Sequence, residues 1–175
     1  RYSGAVAGHA FAAVRKRDFD LVAVLSPLHA FQRDTFLTSA HTAYATPLGN
    51  IPINRAAVDA MDAVLRAELG FGIMPIARDG EHSLEIELPF LQRALKSDFA
   101  LLPIMIRSVD AHELEALGKA LADLLRGRNA LIVASTDLSH FYHQSEAKEL
   151  DGEMLRQIEA FSPEGVLQTE ELHKG

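Results

Sequence analysis

Three short runs of consecutive apolar residues constrain the fold of this chain more than any other feature. They are LVAVL at 21–25, FALLPIMIR at 99–107 and ALIVA at 130–134. A continuous apolar run is typical of a strand that is covered on both faces, whereas a strand with one wet face alternates polar and apolar residues. The runs therefore predict strands inside a sheet that has a layer of structure on each side.

Segments with helical periodicity separate these runs. The predicted helices span residues 4–16, 55–69, 81–96, 111–126, about 145–160 and 163–172. Their predicted N-caps are Asn54, Asp110 (in a capping box with Glu113), Ser145 and Ser162, with Pro163 opening the last helix. Pro89 lies inside the third helix and predicts a kink or break there. Two short strands are expected within 35–53, and a weak strand at 71–77.

Strands that alternate with amphipathic helices predict an α/β fold with a mostly parallel central sheet flanked by helices. The 175 residues are enough for a single domain over 1–175.

The net charge of −7 argues against nucleic acid as a partner. No apolar run is long enough to span a bilayer and no signal peptide is visible, which makes the cytoplasm the default location. The chain contains no cysteine, which excludes disulfides and thiolate metal sites within these residues.

Polar, titratable side chains follow two of the predicted strands directly. SPLH at 26–29 follows the first strand, and STDLSH at 135–140 follows the strand at 130–134. In open α/β sheets the ligand crevice lies outside the carboxyl ends of the strands. We therefore expect His29, Asp137 and His140 to face one crevice, with His82 joining them from the start of the third helix.

Each of these residues also has a structural explanation. Asp137 could cap a turn, and His82 could be a solvated residue at a helix start. Glu81 and Glu85 read as first-turn acids that complement the helix dipole. The other histidines are interpreted as structural or surface residues; they are His9, His41, His112, His143 and His173.

If the site is real, its residue types suit a divalent transition metal. Two imidazoles and one carboxylate form the open ligand face of non-haem Fe(II) oxygenases. A further histidine could act as acid or base, because its ordinary pKa lies near neutrality. The sequence contains no G-x-S-x-G, H-E-x-x-H, P-loop or G-x-G-x-x-G motif, which disfavours the corresponding classes.

Several stretches together resemble the Memo-like proteins, also known as the AmmeMemoRadiSam system protein B family, which are relatives of class III extradiol dioxygenases. They are YSGAVAGHAF at 2–11, YATPLGNIPIN at 44–54, EHSLEIELPFLQ at 81–92 and STDLSHF at 135–141. The pairing of E-H-S-hydrophobic-E with S-T-D-hydrophobic-S-H is specific, whereas either motif alone would be weak.

The resemblance implies a class III extradiol dioxygenase-like fold with a non-haem metal pocket, holding iron as Fe(II) or another divalent metal. It assigns His29 as a metal ligand and His140 as acid/base or substrate contact. Asp137 would orient a neighbour or approach the metal, and His82 would line the pocket. The family's loop is usually Gly-Pro-polar-His, and here Ser26 replaces the glycine, which would restrict the backbone if a positive φ were needed.

The family pocket also uses a histidine before the Y-S-G segment and often a cysteine after the last helices. This chain begins at Arg1 and ends at Gly175. We therefore expect both ends to be truncated, and metal binding by these residues to be weak.

The resemblance leaves three functions open. The first is a metal-dependent, dioxygenase-like activity in redox or modification chemistry, with AMMECR1-like and radical SAM proteins as partners. The second is a non-catalytic module that binds a small molecule, a peptide or a partner protein in the same pocket. The third is metal-assisted hydrolysis, because a metal-bound water near His140 could act as the nucleophile.

Overall fold

The computed structural model describes residues 3–78, 80–107 and 110–172, and the chain divides into two compact units, Arg1–Thr136 and Asp137–Gly175. The described strands are β1 (Leu21–Pro27), β2 (Phe36–Ser39), β3 (Ala43–Thr46), β4 (Gly49–Pro52), β5 (Ile73–Ile76), β6 (Ala100–Ile106) and β7 (Ala130–Ala134). The described helices are α1 (Gly4–Ala12), α2 (Arg55–Leu69), α3 (Leu88–Ala94), α4 (Ala111–Leu125), α5 (Gln144–Glu159) and α6 (Pro163–Leu172).

A five-stranded sheet in the order β5-β2-β6-β1-β7 forms the centre of the first unit. β1 runs parallel to both β6 and β7, and β2 runs parallel to β5. The β2–β6 pair is antiparallel, so the sheet is mixed but mostly parallel. β3 and β4 form a separate antiparallel hairpin. The predicted α/β class with a mostly parallel sheet flanked by helices is confirmed.

Both faces of β1 and β6 are buried, as their continuous apolar runs predicted, whereas the edge strand β7 is only partly buried, with Ile132 52% exposed. Leu21 and Ala23 of β1 face a core that includes Met61 of α2 and Leu117 of α4. Val22 and Val24 belong to a second core on the other face, which includes α1 and α3 residues; the largest helical members are Phe11, Leu88 and Leu91. Because successive strand residues point to opposite faces, a strand between two cores needs apolar residues at nearly every position.

Pro89 begins a helix instead of bending one. A short 3-10 turn (Glu85–Glu87) leads into α3, and Pro89 lies in the first turn of that helix. Proline is tolerated there because the first-turn N–H groups have no partner within the helix. The predicted helix over 81–96 was therefore too long, and its first residues form a loop at the carboxyl end of β1.

The other boundaries were predicted with mixed success. The region 35–53 contains three strands rather than two, and α1 ends at Ala12, before the predicted limit. The side chain of Asn54 caps α2, Asp110 and Glu113 form the predicted capping box of α4, and the Ser162 hydroxyl accepts from the Gly165 N–H. Ser145 is not the cap of α5, because that helix begins one residue earlier, after His143.

The second unit consists of a loop over 137–143 followed by α5 and α6. Inside it, the Thr169 hydroxyl donates to the Gly165 carbonyl at 2.7 Å, and the Gln157 amide donates to Glu153 at 2.7 Å. None of the helices in the described parts of the chain combines the length and the apolar character needed to cross a membrane.

Candidate metal centre

The carboxyl end of β1 positions His29. The strand ends at Pro27, and the Leu28 N–H still donates to the Ile106 carbonyl at 2.8 Å, so the chain stays in line with the sheet until the histidine. Ser26 is an ordinary strand residue opposite Met105, and it is not among the described residues with positive φ. Replacing the family's glycine by Ser26 therefore requires no strained backbone conformation here.

A second segment, residues 81–83, is bound to this strand end by side-chain hydrogen bonds. The Ser83 hydroxyl donates to the Pro27 carbonyl at 2.7 Å. The Ser135 hydroxyl donates to the Ser83 carbonyl at 2.7 Å, and the Ser135 N–H donates to the Leu25 carbonyl at 2.8 Å. Two serine hydroxyls thus connect segment 81–83 to the ends of β1 and β7.

Glu81 is the centre of the site, and only 2% of its side chain is exposed. Its Oε2 accepts from the His29 backbone N–H at 2.6 Å. Its Oε1 accepts from the backbone N–H groups of His82 and Ser83 at 2.8 and 2.9 Å. The His29 ring contributes Nδ1, which lies 3.0 Å from Oε2 and 3.1 Å from Oε1.

These donors keep the buried carboxylate ionised. Burial alone would raise the pKa of Glu81, because a charge is less stable away from water. The backbone N–H groups of His29 and Ser83, the His29 ring and the His82 N–H oppose that effect and lower the pKa to about 2. A full negative charge therefore lies beneath the two imidazoles at neutral pH.

The His29 and His82 rings stack beside this charge, with their centroids 5.5 Å apart and their planes 17° from parallel. Their side chains are 58% and 75% exposed, and His82 Nδ1 lies 3.4 Å from Glu81 Oε1. One donor atom from each of the three residues lies within 4.8 Å of the other two. Imidazole and carboxylate donors suit iron, zinc or another transition metal, whereas Mg²⁺ and Ca²⁺ prefer oxygen ligands alone.

A second carboxylate, Glu87, lies at the edge of the same network, and its pKa is shifted in the opposite direction to that of Glu81. Its Oε1 is 3.3 Å from the Ser135 hydroxyl, which donates at shorter range to Ser83. Burial raises the pKa of Glu87 above its ordinary range, and the hydrogen bond from Ser135 offsets only part of that rise.

The second unit contains the other predicted pair. His140 Nε2 lies 2.5 Å from Asp137 Oδ2, and their side chains are 52% and 69% exposed. Ser139 fixes the loop between them, because its N–H and hydroxyl both bind Asp151 Oδ1, at 2.9 and 2.7 Å. Phe141 follows with a left-handed φ of 64°, a conformation that bulky residues rarely adopt.

The structure thus groups the four predicted site residues into two pairs, His29 with His82 and Asp137 with His140. Their convergence in one cleft stays a prediction, as do their individual roles. The interpretation of His41 as structural agrees with a 2.8 Å contact between its Nε2 and the Ala77 carbonyl. His173, and Tyr2 of the Y-S-G motif, lie outside the described residues.

Glu81 is the residue that sequence reasoning missed. It was interpreted as a first-turn acid, but the helix begins later and the carboxylate is buried against β1. The available signal was its position directly before His82 in the E-H-S motif, at the edge of a segment too polar for the core.

Comparison with known proteins agrees with the motifs. The family model described as Memo-like protein matches residues 1–173. A MEMO1 family protein of Methanosarcina mazei is 33% identical over 168 residues, which cover 94% of this chain and 60% of the relative. A MEMO1 family protein of Aeropyrum pernix is 33% identical over 178 residues, covering 98% and 61%. The chain spans about three fifths of the length of these relatives. It belongs to the Memo-like protein family.

Proposed function

We propose that the carboxyl end of β1 is a divalent transition-metal centre, with iron as the expected metal. The observation that carries this proposal is the grouping of His29, Glu81 and His82, whose donor atoms lie within 4.8 Å of one another. Two imidazoles supply neutral donors and the ionised carboxylate supplies negative charge, which together favour a dication.

A bound metal would supply Lewis-acid chemistry and, in the case of iron, redox chemistry for a dioxygenase-like or modification reaction. The chain's own contribution is to hold the two imidazoles beside the charged Glu81 at the rim of the sheet. Because both rings are more than half exposed, a small molecule or an extended peptide has access to them.

We further propose that His140 moves a proton in this reaction and that Asp137 orients it. The contact between His140 Nε2 and Asp137 holds the ring in one orientation. The other ring nitrogen, Nδ1, is then the atom that can accept or release a proton. AMMECR1-like and radical SAM proteins as partners, and a cytoplasmic location, stay predictions of the family resemblance.

The test is an anaerobic titration of the 175-residue chain with Fe(II), and with Co(II) as a coloured substitute. We expect one equivalent to bind more tightly than about 1 mM, corresponding to about 4 kcal/mol. His29→Ala and His82→Ala should each weaken binding at least about tenfold, since each removes an imidazole donor. His112→Ala is the matched control, because it removes an exposed imidazole from α4.

Uptake of O₂ on adding catechols to the iron-loaded protein would support the dioxygenase-like form of the proposal. Ligand binding by metal-free protein, without turnover, would favour the non-catalytic module instead. Metal binding that is undetectable, or that is unchanged in both histidine variants, would contradict the metal centre.

A further inference from the structure

We propose that Glu81 is a positioning residue that holds His29 in its Nδ1–H tautomer and leaves Nε2 free as the donor. This inference rests on the proposed metal centre for its functional meaning. The two alternatives are that the carboxylate ligates the metal directly and that it acts through the imidazole.

The hydrogen bonds of Glu81 argue against direct ligation. A carboxylate offers about four lone-pair sites. Three backbone N–H groups, from His29, His82 and Ser83, already donate to Glu81, and the His29 ring contributes a fourth contact. A metal bound to this carboxylate would displace one of these donors and leave it unpaired near a side chain that is only 2% exposed.

The same contacts determine which nitrogen of His29 carries the proton. Nδ1 lies 3.0 and 3.1 Å from the two oxygens of Glu81, and a neutral ring nitrogen facing an ionised carboxylate is the one that bears hydrogen. A flipped ring would lose the contacts of Nδ1 with both carboxylate oxygens, so Glu81 favours the observed orientation. Nε2 then keeps its lone pair, which is how carboxylates orient metal-binding histidines in general.

His140 provides an internal contrast. Its Nε2, rather than its Nδ1, faces a carboxylate. The two histidines should therefore adopt opposite neutral tautomers in the same molecule, and a general effect of solvent or pH cannot produce that result.

The experiment is a long-range ¹H–¹⁵N correlation spectrum of metal-free protein labelled at histidine. It is recorded at about pH 9, well above the ordinary imidazole pKa of about 6.5. His29→Ala and His140→Ala spectra assign the two signals. We expect Nδ1–H for His29 and Nε2–H for His140 in the wild type.

Substitutions of Glu81 separate positioning from a general structural role. Glu81→Gln places an amide donor beside Nδ1, so His29 should change to the Nε2–H tautomer and Co(II) affinity should fall about 10- to 100-fold. Glu81→Asp keeps the charge and should restore the Nδ1–H tautomer. Glu85→Gln is the matched control, because it neutralises an exposed acid four residues further on and should change neither measurement.

The outcomes are distinct. An Nε2–H tautomer for His29 in the wild type overturns the inference, as does a tautomer that is unchanged in a folded Glu81→Gln variant. If that variant does not fold, the wild-type tautomer decides alone. An Nδ1–H tautomer in a chain that binds no metal supports the positioning of His29 by Glu81 and contradicts the proposed metal centre.

Discussion

The two imidazole–carboxylate pairs of this protein are built in different ways. Glu81 is 52 residues from His29 in the sequence and is almost fully buried. It accepts hydrogen bonds from the backbone N–H groups of three residues. Asp137 is three residues from His140, and 69% of its side chain is exposed. The first pair is held by tertiary contacts at the carboxyl end of β1, whereas the second is formed within one loop.

Glu87 shows that hydrogen-bond donors, and not burial alone, decide in which direction the pKa of such a carboxyl shifts. Burial opposes ionisation of both Glu81 and Glu87. Several N–H donors outweigh it at Glu81, whereas one hydroxyl at 3.3 Å does not outweigh it at Glu87. The comparison predicts that the ionised form of Glu81 stabilises the fold and that Asp137 contributes little to stability. It also predicts that Glu87 favours folding more when it is neutral than when it is ionised.

The largest expected effect is that of Glu81→Ala. The substitution leaves three backbone N–H groups without their acceptor, and we expect the free energy of unfolding to fall by about 3 to 4 kcal/mol. Asp137→Ala is the matched control and should cost less than about 1 kcal/mol, because its carboxylate is exposed. Urea denaturation followed by circular dichroism measures both values. An equal fall in the free energy of unfolding for the two variants would contradict the proposed difference between the buried and the exposed pair.

Acid should remove the contribution of Glu81 to stability. A carboxyl whose pKa is lower in the folded state stabilises the fold above its ordinary pKa of about 4.5, and that stability is lost as the pH falls towards 2. The loss should reach roughly 3 kcal/mol at most. Denaturation midpoints between pH 6 and pH 2 test this, and Glu81→Gln should show a flatter profile over the same range. An identical profile would mean that Glu81 is not the group responsible.

His140→Ala should change the unfolding free energy by less than about 1 kcal/mol, since the ring is half exposed. It should nevertheless abolish turnover or ligand binding if His140 is the acid/base residue. Melting temperature and activity, measured on the same sample, separate these effects. A large fall in melting temperature would instead mark His140 as a structural histidine of the second unit.

The smallest expected effect is a gain in stability from Glu87→Gln. A carboxyl whose pKa is raised by folding destabilises the protein only above its ordinary pKa, where the unfolded chain ionises more readily. The glutamine variant should therefore be more stable than wild type at pH 7, by at most about 1 kcal/mol, and equal to it near pH 4. A variant that is less stable at pH 7 would show that the charged form of Glu87 contributes to the fold.

Local chemistry determined much of the fold from the sequence alone. The continuous apolar runs at 21–25 and 99–107 predicted buried strands correctly, although the run at 130–134 forms a partly exposed edge strand. Asn54, Asp110 and Ser162 marked helix starts that the structure contains. These signals depend on neighbours within a few residues, so a linear reading detects them. Pro89 was harder, because the same residue breaks a helix interior and opens a helix start, and only the position of the preceding turn separates the two.

The sequence also identified His29, His82, Asp137 and His140 as candidate site residues, because strand ends and motif positions are visible in the order of residues. The role of Glu81 was decided only by tertiary structure. The parallel pairing of β1 with β6 and the serine contacts from Ser83 and Ser135 carry residues 81–83 to the end of a strand about fifty positions earlier in the chain. There the carboxylate accepts from the His29 N–H and contacts the His29 ring, and these hydrogen bonds between residues 52 positions apart have no signature in local sequence.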